Sequence, residues 1–314
     1  MPPRGKRYPA NGFLIAAIAI VSAWSAEAPK RAAPESGTFR ADSALVLVPV
    51  TVVDRRGAIV NGLADTAFTV TEDGSQRPIR SFSEDDAPVS LGIVLDMSGS
   101  MRGYLAAAKE SLRALLNDAN PQDEVFLNGV STQPRAYSGF ADSFTETIRR
   151  VESEGADGRT ALIDTIYESS KELRAGIHPR KALVVISDGM DNHSRFTNGD
   201  LRLQQVEAEA QIYTIATVAA TNPIQPPKPL MMNEAQRGRL FLEELAAKTG
   251  GLSFVVSAPP DIAKAAASIG RALRNQYTLG YAPGGSGGGK WHKITVKVAG
   301  SGMKAYARTG YRLD

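Results

Sequence analysis

From Val89 onward the chain alternates two kinds of segment, and this alternation narrows the folds open to it. "VSLGIVLDM" reads as a continuous apolar strand that ends at Asp96, and the next stretch, "YLAAAKESLRALLNDA", carries Leu105, Ala108, Leu112 and Leu115 at helical spacing. "EVFLNGVS" and "RAYSGF" read as strands, "ALIDTIYESSKELRAG" as a helix and "KALVVISDG" as a second continuous apolar strand. A helix around 197–210 leads to the strand "IYTIATV", a helix around 234–249 leads to "GLSFVVS", and a last helix covers about 260–275. Strands apolar on both sides are buried on both faces, and helices with one apolar stripe cover them. The expected fold class is therefore α/β: a doubly wound, mainly parallel sheet with helices on both faces, over residues 88–275. A proline-rich loop, "TNPIQPPKPLMM" (221–232), interrupts the scheme.

The flanks read differently. Residues 44–87 hold the strand "ALVLVPVTVVD", a turn in "RRGAIVNGL" and a hairpin around Glu72-Asp73-Gly74. Residues 276–314 hold "QYTLGYAP", a glycine loop, "WHKITVKVAG" with Ile294, Val296 and Val298 on one face, and "KAYARTGYRL". A unit of 44 residues with so few strands is too small to stand alone, so the two flanks are expected to pack together as one small β unit with the α/β domain inserted between them. Tyr277, Tyr281, Trp291, Tyr306 and Tyr311 are read as packing these flanks, with a sugar-stacking platform as the alternative.

Residues 1–26 have the layout of a secretory signal peptide: Arg4, Lys6 and Arg7, an apolar stretch from Phe13 to Trp24, then Ser25 and Ala26. That stretch is short of the ~20 residues that span a bilayer; an uncleaved N-terminal anchor is the alternative. The expectation is an exported protein, periplasmic or secreted, with no membrane span after cleavage and a polar linker over 27–43. The formal net charge of +3 vanishes once the three basic residues of the signal are removed. With no basic excess left, the composition argues against nucleic-acid binding. The absence of cysteine excludes disulfides, thiol catalysis and zinc–thiolate sites.

In an open α/β sheet, ligands bind beyond the carboxyl ends of the strands. Asp96, Ser98 and Ser100 follow the strand "LGIVL", Asp188 follows "ALVVIS", and Thr160 lies in "GRTAL" before a helix. Two carboxylates and three hydroxyls make a hard-oxygen set, which suits Mg²⁺, with Mn²⁺ or Ca²⁺ as alternatives, over zinc or copper. Neutral hydroxyls leave much of such an ion's charge uncancelled, so it still seeks an anionic oxygen. The competing reading has Asp96, Ser98 and Ser100 capping a helix that starts near Gly103. Gly99 is read as allowing a tight path between the serines. Asp191 and His193 are read as capping the 197–210 helix, or else lining the rim of the site. The G-x-x-x-x-G-K spacing at 284–290 is read as a hairpin loop, because Trp291 stands where a phosphate loop has Ser or Thr.

"DMSGS" matches D-x-S-x-S, and with the threonine of "GRTAL" and the aspartate of "SDG" it resembles the metal-ion-dependent adhesion site (MIDAS) of von Willebrand factor type A domains. The flanks resemble those of bacterial exported proteins with a related domain. The resemblance implies that Ser98 and Ser100 contact the metal directly. Thr160 would do so in a ligand-competent state, and Asp96 and Asp188 directly or through water. A carboxylate from a protein partner would complete the shell, and the last helix can shift on binding. It implies an adhesion-type protein-binding module rather than an enzyme. The alternatives are an assembly scaffold with a structural metal and a metal-dependent hydrolase. The hydrolase is disfavoured because Ser98 stands where such enzymes place a second acid, and of His178, His193 and His292 only His193 falls near the site.

Overall fold

Eight consecutive buried residues, Val89–Asp96, form the strand on which the rest of the α/β layer is built. The computed structural model describes residues 45–117, 119–218, 232–285 and 289–313. The expected signal peptide, the linker and nearly all of the proline-rich loop lie outside the described residues.

The N-terminal flank supplies β1 (Val46–Val53), β2 (Phe68–Glu72), β3 (Ser75–Arg77) and β4 (Ile79–Glu84). The α/β layer follows with β5 (Val89–Asp96), α1 (Leu105–Leu116), β6 (Glu124–Val130), β7 (Arg135–Ser138), α2 (Phe144–Glu152), α3 (Leu162–Leu173) and β8 (Arg180–Ser187). It continues through α4 (Asn198–Ala208), β9 (Gln211–Thr217), α5 (Glu234–Thr249), β10 (Ser253–Val256) and α6 (Pro260–Arg274). The C-terminal flank adds β11 (Tyr277–Tyr281), β12 (Lys290–Val298), β13 (Lys304–Tyr306) and β14 (Gly310–Leu313).

The central sheet has the order β10-β9-β8-β5-β6-β7, parallel throughout except for β7, which runs antiparallel at one edge. Ile93 sits in register between Leu127 and Val184. Along β5 the side chains alternate between two cores. Leu91, Ile93 and Leu95 pack with Leu112 of α1 and Ile262 and Ile269 of α6. Val94 packs with Leu162 and Ile166 of α3, Leu201 of α4 and Leu242 of α5. Each such aliphatic chain contributes roughly 1.5–3 kcal/mol by leaving water. The two cores fix the sheet from both sides, so the carboxyl end of β5 is held rigidly. Sequence periodicity gave no helix for 144–152, yet α2 forms there. It is short and highly charged, and only Thr147, Ile148 and Val151 are buried.

The flanks interleave in two four-stranded antiparallel sheets, β13-β1-β11-β4 and β14-β12-β2-β3. Val48 pairs with Leu279, and Val70 with Val296. Between the sheets lies a core of Val48, Val50, Phe68, Val70, Leu279, Ile294 and the tyrosines 277, 281 and 311. Tyr277 and Tyr281 are wholly buried, which removes them from any sugar-stacking surface. Trp291 is exposed and stands apart from that core. Among the described residues no helix is long and apolar enough to cross a membrane.

Candidate functional site

β5 ends at Asp96, whose side chain is fully buried. One carboxylate oxygen accepts the backbone N–H of Ser98 at 2.9 Å, and the other accepts the hydroxyl of Ser187 at 2.5 Å. Burial pushes Asp96 up to about 6; the Ser187 and Ser98 hydrogen bonds oppose the rise, and the nearby charge of Asp188 adds to it. Ser98 is buried, and its Oγ lies 3.1 Å from the Oγ of Ser100. Burial also raises Asp188, while the Ser100 hydroxyl and the Met190 N–H, at 3.0 Å, pull it back. The structure thus brings Asp96, Ser98, Ser100 and Asp188 to one place at the carboxyl ends of β5 and β8.

Thr160 reaches the same end of the sheet on a separate loop. That loop is joined to the Asp96–Ser100 turn by two backbone hydrogen bonds, Asp157 N to Met97 O at 2.9 Å and Gly99 N to Gly158 O at 3.3 Å. Thr160 is itself buried. Its N–H donates to Oδ1 of Asn192 at 3.0 Å, and its carbonyl accepts the N–H groups of Asn192 and His193.

Three readings are corrected by this geometry. Asp96, Ser98 and Ser100 do not cap α1: residues 99–103 form a separate 3-10 turn, Tyr104 is the N-cap, and no side chain bonds there. The backbone constraint expected at Gly99 falls on Gly158 instead. Gly158 has φ +81°, and a Cβ there would come within 2.8 Å of Thr132 Oγ1, whereas one on Gly99 would meet only a carbonyl at 3.6 Å. Asp191 caps α3 rather than α4, accepting the Ile163 N–H at 2.8 Å and the Ser194 hydroxyl at 2.5 Å. The start of α4 is closed by Thr197 and Asp200 bonding each other. His193 is exposed and tied to the site through its backbone, not its ring.

Sequence reasoning passed over Ser187, Asn192, Ser194 and Asp164. Asp164, buried in α3, accepts the N–H groups of Arg195 and Phe196, each at 2.8 Å, and so pins the loop after β8. The only signal for Ser187, Asn192 and Ser194 was the run of polar residues in "SDGMDNHS"; Asp164 sits in the helical stretch "ALIDTIYESS", where nothing marks it. The donor set fits a hard divalent cation. Every side chain offered is an oxygen, and the buried Asp96 carboxylate, whose charge is disfavoured where it stands, gains most from a positive neighbour. G-x-x-x-x-G-K is followed by a strand, β12, and not by the helix a phosphate loop requires.

Residues 91–190 match the family model of the von Willebrand factor type A domain. Similar solved structures include the conserved hypothetical protein BatB from Bacteroides thetaiotaomicron, at 17% identity over 60% of this chain and 100% of that one, with TM-score 0.46. A von Willebrand factor type A protein from Catenulispora acidiphila is 12% identical over 78% of this chain and 76% of its own, with TM-score 0.46. The vWF domain of the type V pili tip protein Mfa5 from Porphyromonas gingivalis is 11% identical over 60% of this chain and 95% of its own, with TM-score 0.46. No curated protein matches the chain.

Proposed function

The chain carries a von Willebrand factor type A domain over residues 91–190, and from that premise we propose an exported protein-binding module that grips an acidic group of a protein partner through a divalent cation. The observation that supports this reading is the meeting of Asp96, Ser98, Ser100 and Asp188, with the Thr160 loop hydrogen-bonded to Met97 and Gly99 of the same turn. Ser98, Ser100 and Thr160 would hold Mg²⁺ directly, and Asp96 and Asp188 directly or through water. The ion would supply the positive charge that a partner's carboxylate seeks, since three of its five ligands are neutral. Mn²⁺ or Ca²⁺ would suit the same oxygens. We assign no catalytic role to these residues.

The domain division proposed with it sets 88–275 as the type A domain, inserted in a β module made of 44–87 and 276–314. Export, to the periplasm or beyond, rests on the signal-like residues 1–26. The test is capture of a protein partner by the immobilised chain in Mg²⁺ and in EDTA, with Asp96→Ala alongside. Metal-bridged binding requires that capture be lost in both EDTA and the variant. Capture that persists in both moves the contact surface away from this site and leaves the metal, if bound, structural.

A further inference from the structure

The β module contains a cluster of side chains of metal-ligating type, far from the Asp96 site in sequence and different in chemistry. Along β12 the inward face carries His292, Ile294 and Val296, so a histidine stands where the pattern calls for an apolar residue. Across the sheet, β2 ends at Glu72, which is buried, and the turn after it holds Asp73 in the left-handed region, φ +50°. His292 Nδ1 lies 2.9 Å from Asp73 Oδ2 and 3.8 Å from Glu72 Oε1. One ligand atom from each of the three falls within 4.8 Å of the other two.

The oxygens that would face away from an ion are already held. Glu72 Oε2 accepts the Tyr311 hydroxyl at 3.1 Å, and Asp73 Oδ1 accepts the Lys293 N–H at 2.8 Å. Such outer hydrogen bonds orient carboxylate ligands. Glu72 Oε1 accepts the Gly284 N–H at 2.9 Å and faces Arg77 Nη2 at 3.4 Å. The His292 ring stacks on Tyr311 with centroids 5.5 Å apart, which fixes its plane.

A second observation points the same way. Tyr281 is wholly buried beside Glu72 and Tyr311, and its hydroxyl makes no well-formed hydrogen bond to either. The Nε of Arg77 and the Nε2 of His292 are buried and unpartnered as well. Buried polar groups are nearly always paired, so the Tyr281 hydroxyl calls for a partner. A water on an ion drawn between Glu72, Asp73 and His292 would provide one; the Arg77 and His292 nitrogens are donors that an ion held by Nδ1 leaves as they are.

We propose that Glu72, Asp73 and His292 form a site for a divalent transition-metal ion of the Zn²⁺ type. The imidazole nitrogen separates it from the all-oxygen set at Asp96, because nitrogen ligands favour zinc, cobalt and nickel over magnesium and calcium. The ion would staple the β2–β3 turn to β12, joining the N-terminal and C-terminal flanks. This proposal does not depend on the function assigned to the α/β site.

The experiment uses the full chain carrying Asp96→Ala, which removes the first site, stripped of metal and titrated with Co²⁺ and then Zn²⁺. The expected result is one equivalent of Co²⁺ with visible absorption bands, displaced by Zn²⁺ and not by Mg²⁺, and a rise in Tm. His292→Gln and Asp73→Asn are made in the same background. Asp73 is exposed at a turn that asparagine also tolerates, so Asp73→Asn keeps the test open if His292→Gln does not fold. Loss of the bands and of the Tm rise in either folded variant supports the site. No uptake by the parent, or uptake that both variants retain, overturns it.

Discussion

The side-chain amide of Gln276 donates to the hydroxyl of Tyr213 at 2.7 Å. Gln276 is the residue before β11 of the β module, and Tyr213 is fully buried in β9 of the central sheet, so this one bond crosses from one layer of the molecule to the other. The same amide donates to Gln211 Oε1 at 2.8 Å, and Arg180 donates to the side-chain Oε1 of Gln276 at 2.8 Å. Truncating Gln276 removes its bonds to Tyr213, Gln211, Thr51 and Arg180, of which Arg180 keeps the Leu273 carbonyl at 2.6 Å. A buried group left without its partner costs about 1–3 kcal/mol, with partial relief from relaxation. Gln276→Ala should therefore lower unfolding stability by at least about 2 kcal/mol in a urea titration, within that range. The node lies at the amino end of β9, opposite the Asp96 site, so Mg²⁺ affinity should stay at the wild-type value.

Tyr213 also sets an alkaline limit. Burial pushes its hydroxyl up to about 12, with Arg180 pulling weakly the other way. In the unfolded chain it ionises near the ordinary tyrosine value of about 10. Below about pH 10 both states keep the proton and the group leaves stability unchanged. Between about 10 and 12 only the unfolded chain releases it, so stability falls as pH rises through that window, by about 3 kcal/mol at most. Tyr213→Phe lowers stability at neutral pH but should flatten the alkaline slope. Urea titrations at about pH 9 and about pH 12 read that slope. An unchanged slope would remove Tyr213 as its source.

Asp96→Asn separates charge from shape at the candidate metal site. The amide keeps the size of the carboxylate and an acceptor for the Ser98 N–H or the Ser187 hydroxyl. It removes a charge that burial disfavours, so metal-free stability should hold or rise. Wild-type protein should gain about 2.7 kcal/mol at a Mg²⁺ concentration a hundredfold above Kd, and Asp96→Asn should gain almost none. Thermal melts with and without Mg²⁺ make the comparison. An equal gain in both proteins would mean that Mg²⁺ acts elsewhere.

How much of this was legible depended on the range of the interaction. β5 and β8 show in the sequence because both faces of their central parts are buried, so Leu91–Leu95 and Ala182–Ile186 carry no polar side chain before Asp96 or Ser187. The D-x-S-x-S turn shows because its three oxygens belong to one short segment. α2 did not show, since nine residues with three buried positions carry too little periodicity. Asp191 was legible as a capping residue but not as the cap of α3. Its partner, Ile163, lies 28 residues earlier, and the pairing follows from tertiary packing that no local rule encodes. The Glu72–Asp73–His292 group was hidden for the same reason: its histidine is 219 residues from its aspartate.

Asn192 gives the sharpest test of the candidate site, because it is placed to act only through Thr160. Its Oδ1 accepts the Thr160 N–H at 3.0 Å, while its own N–H and that of His193 hold the Thr160 carbonyl from the other side. Asn192→Ala removes the side-chain bond and keeps the two backbone bonds. Thr160 then loses one of its three bonds to Asn192 and His193, and Mg²⁺ affinity should drop about tenfold, the lower end for residues that orient a ligand. Thr160→Val removes the hydroxyl outright and should cost at least as much. If Asn192 acts by aiming that hydroxyl, adding Asn192→Ala to Thr160→Val should cost nothing further in calorimetric Mg²⁺ titrations. Additive losses would instead mean that Asn192 stabilises the loop after β8 for its own sake, and that Thr160 is aimed by its backbone alone.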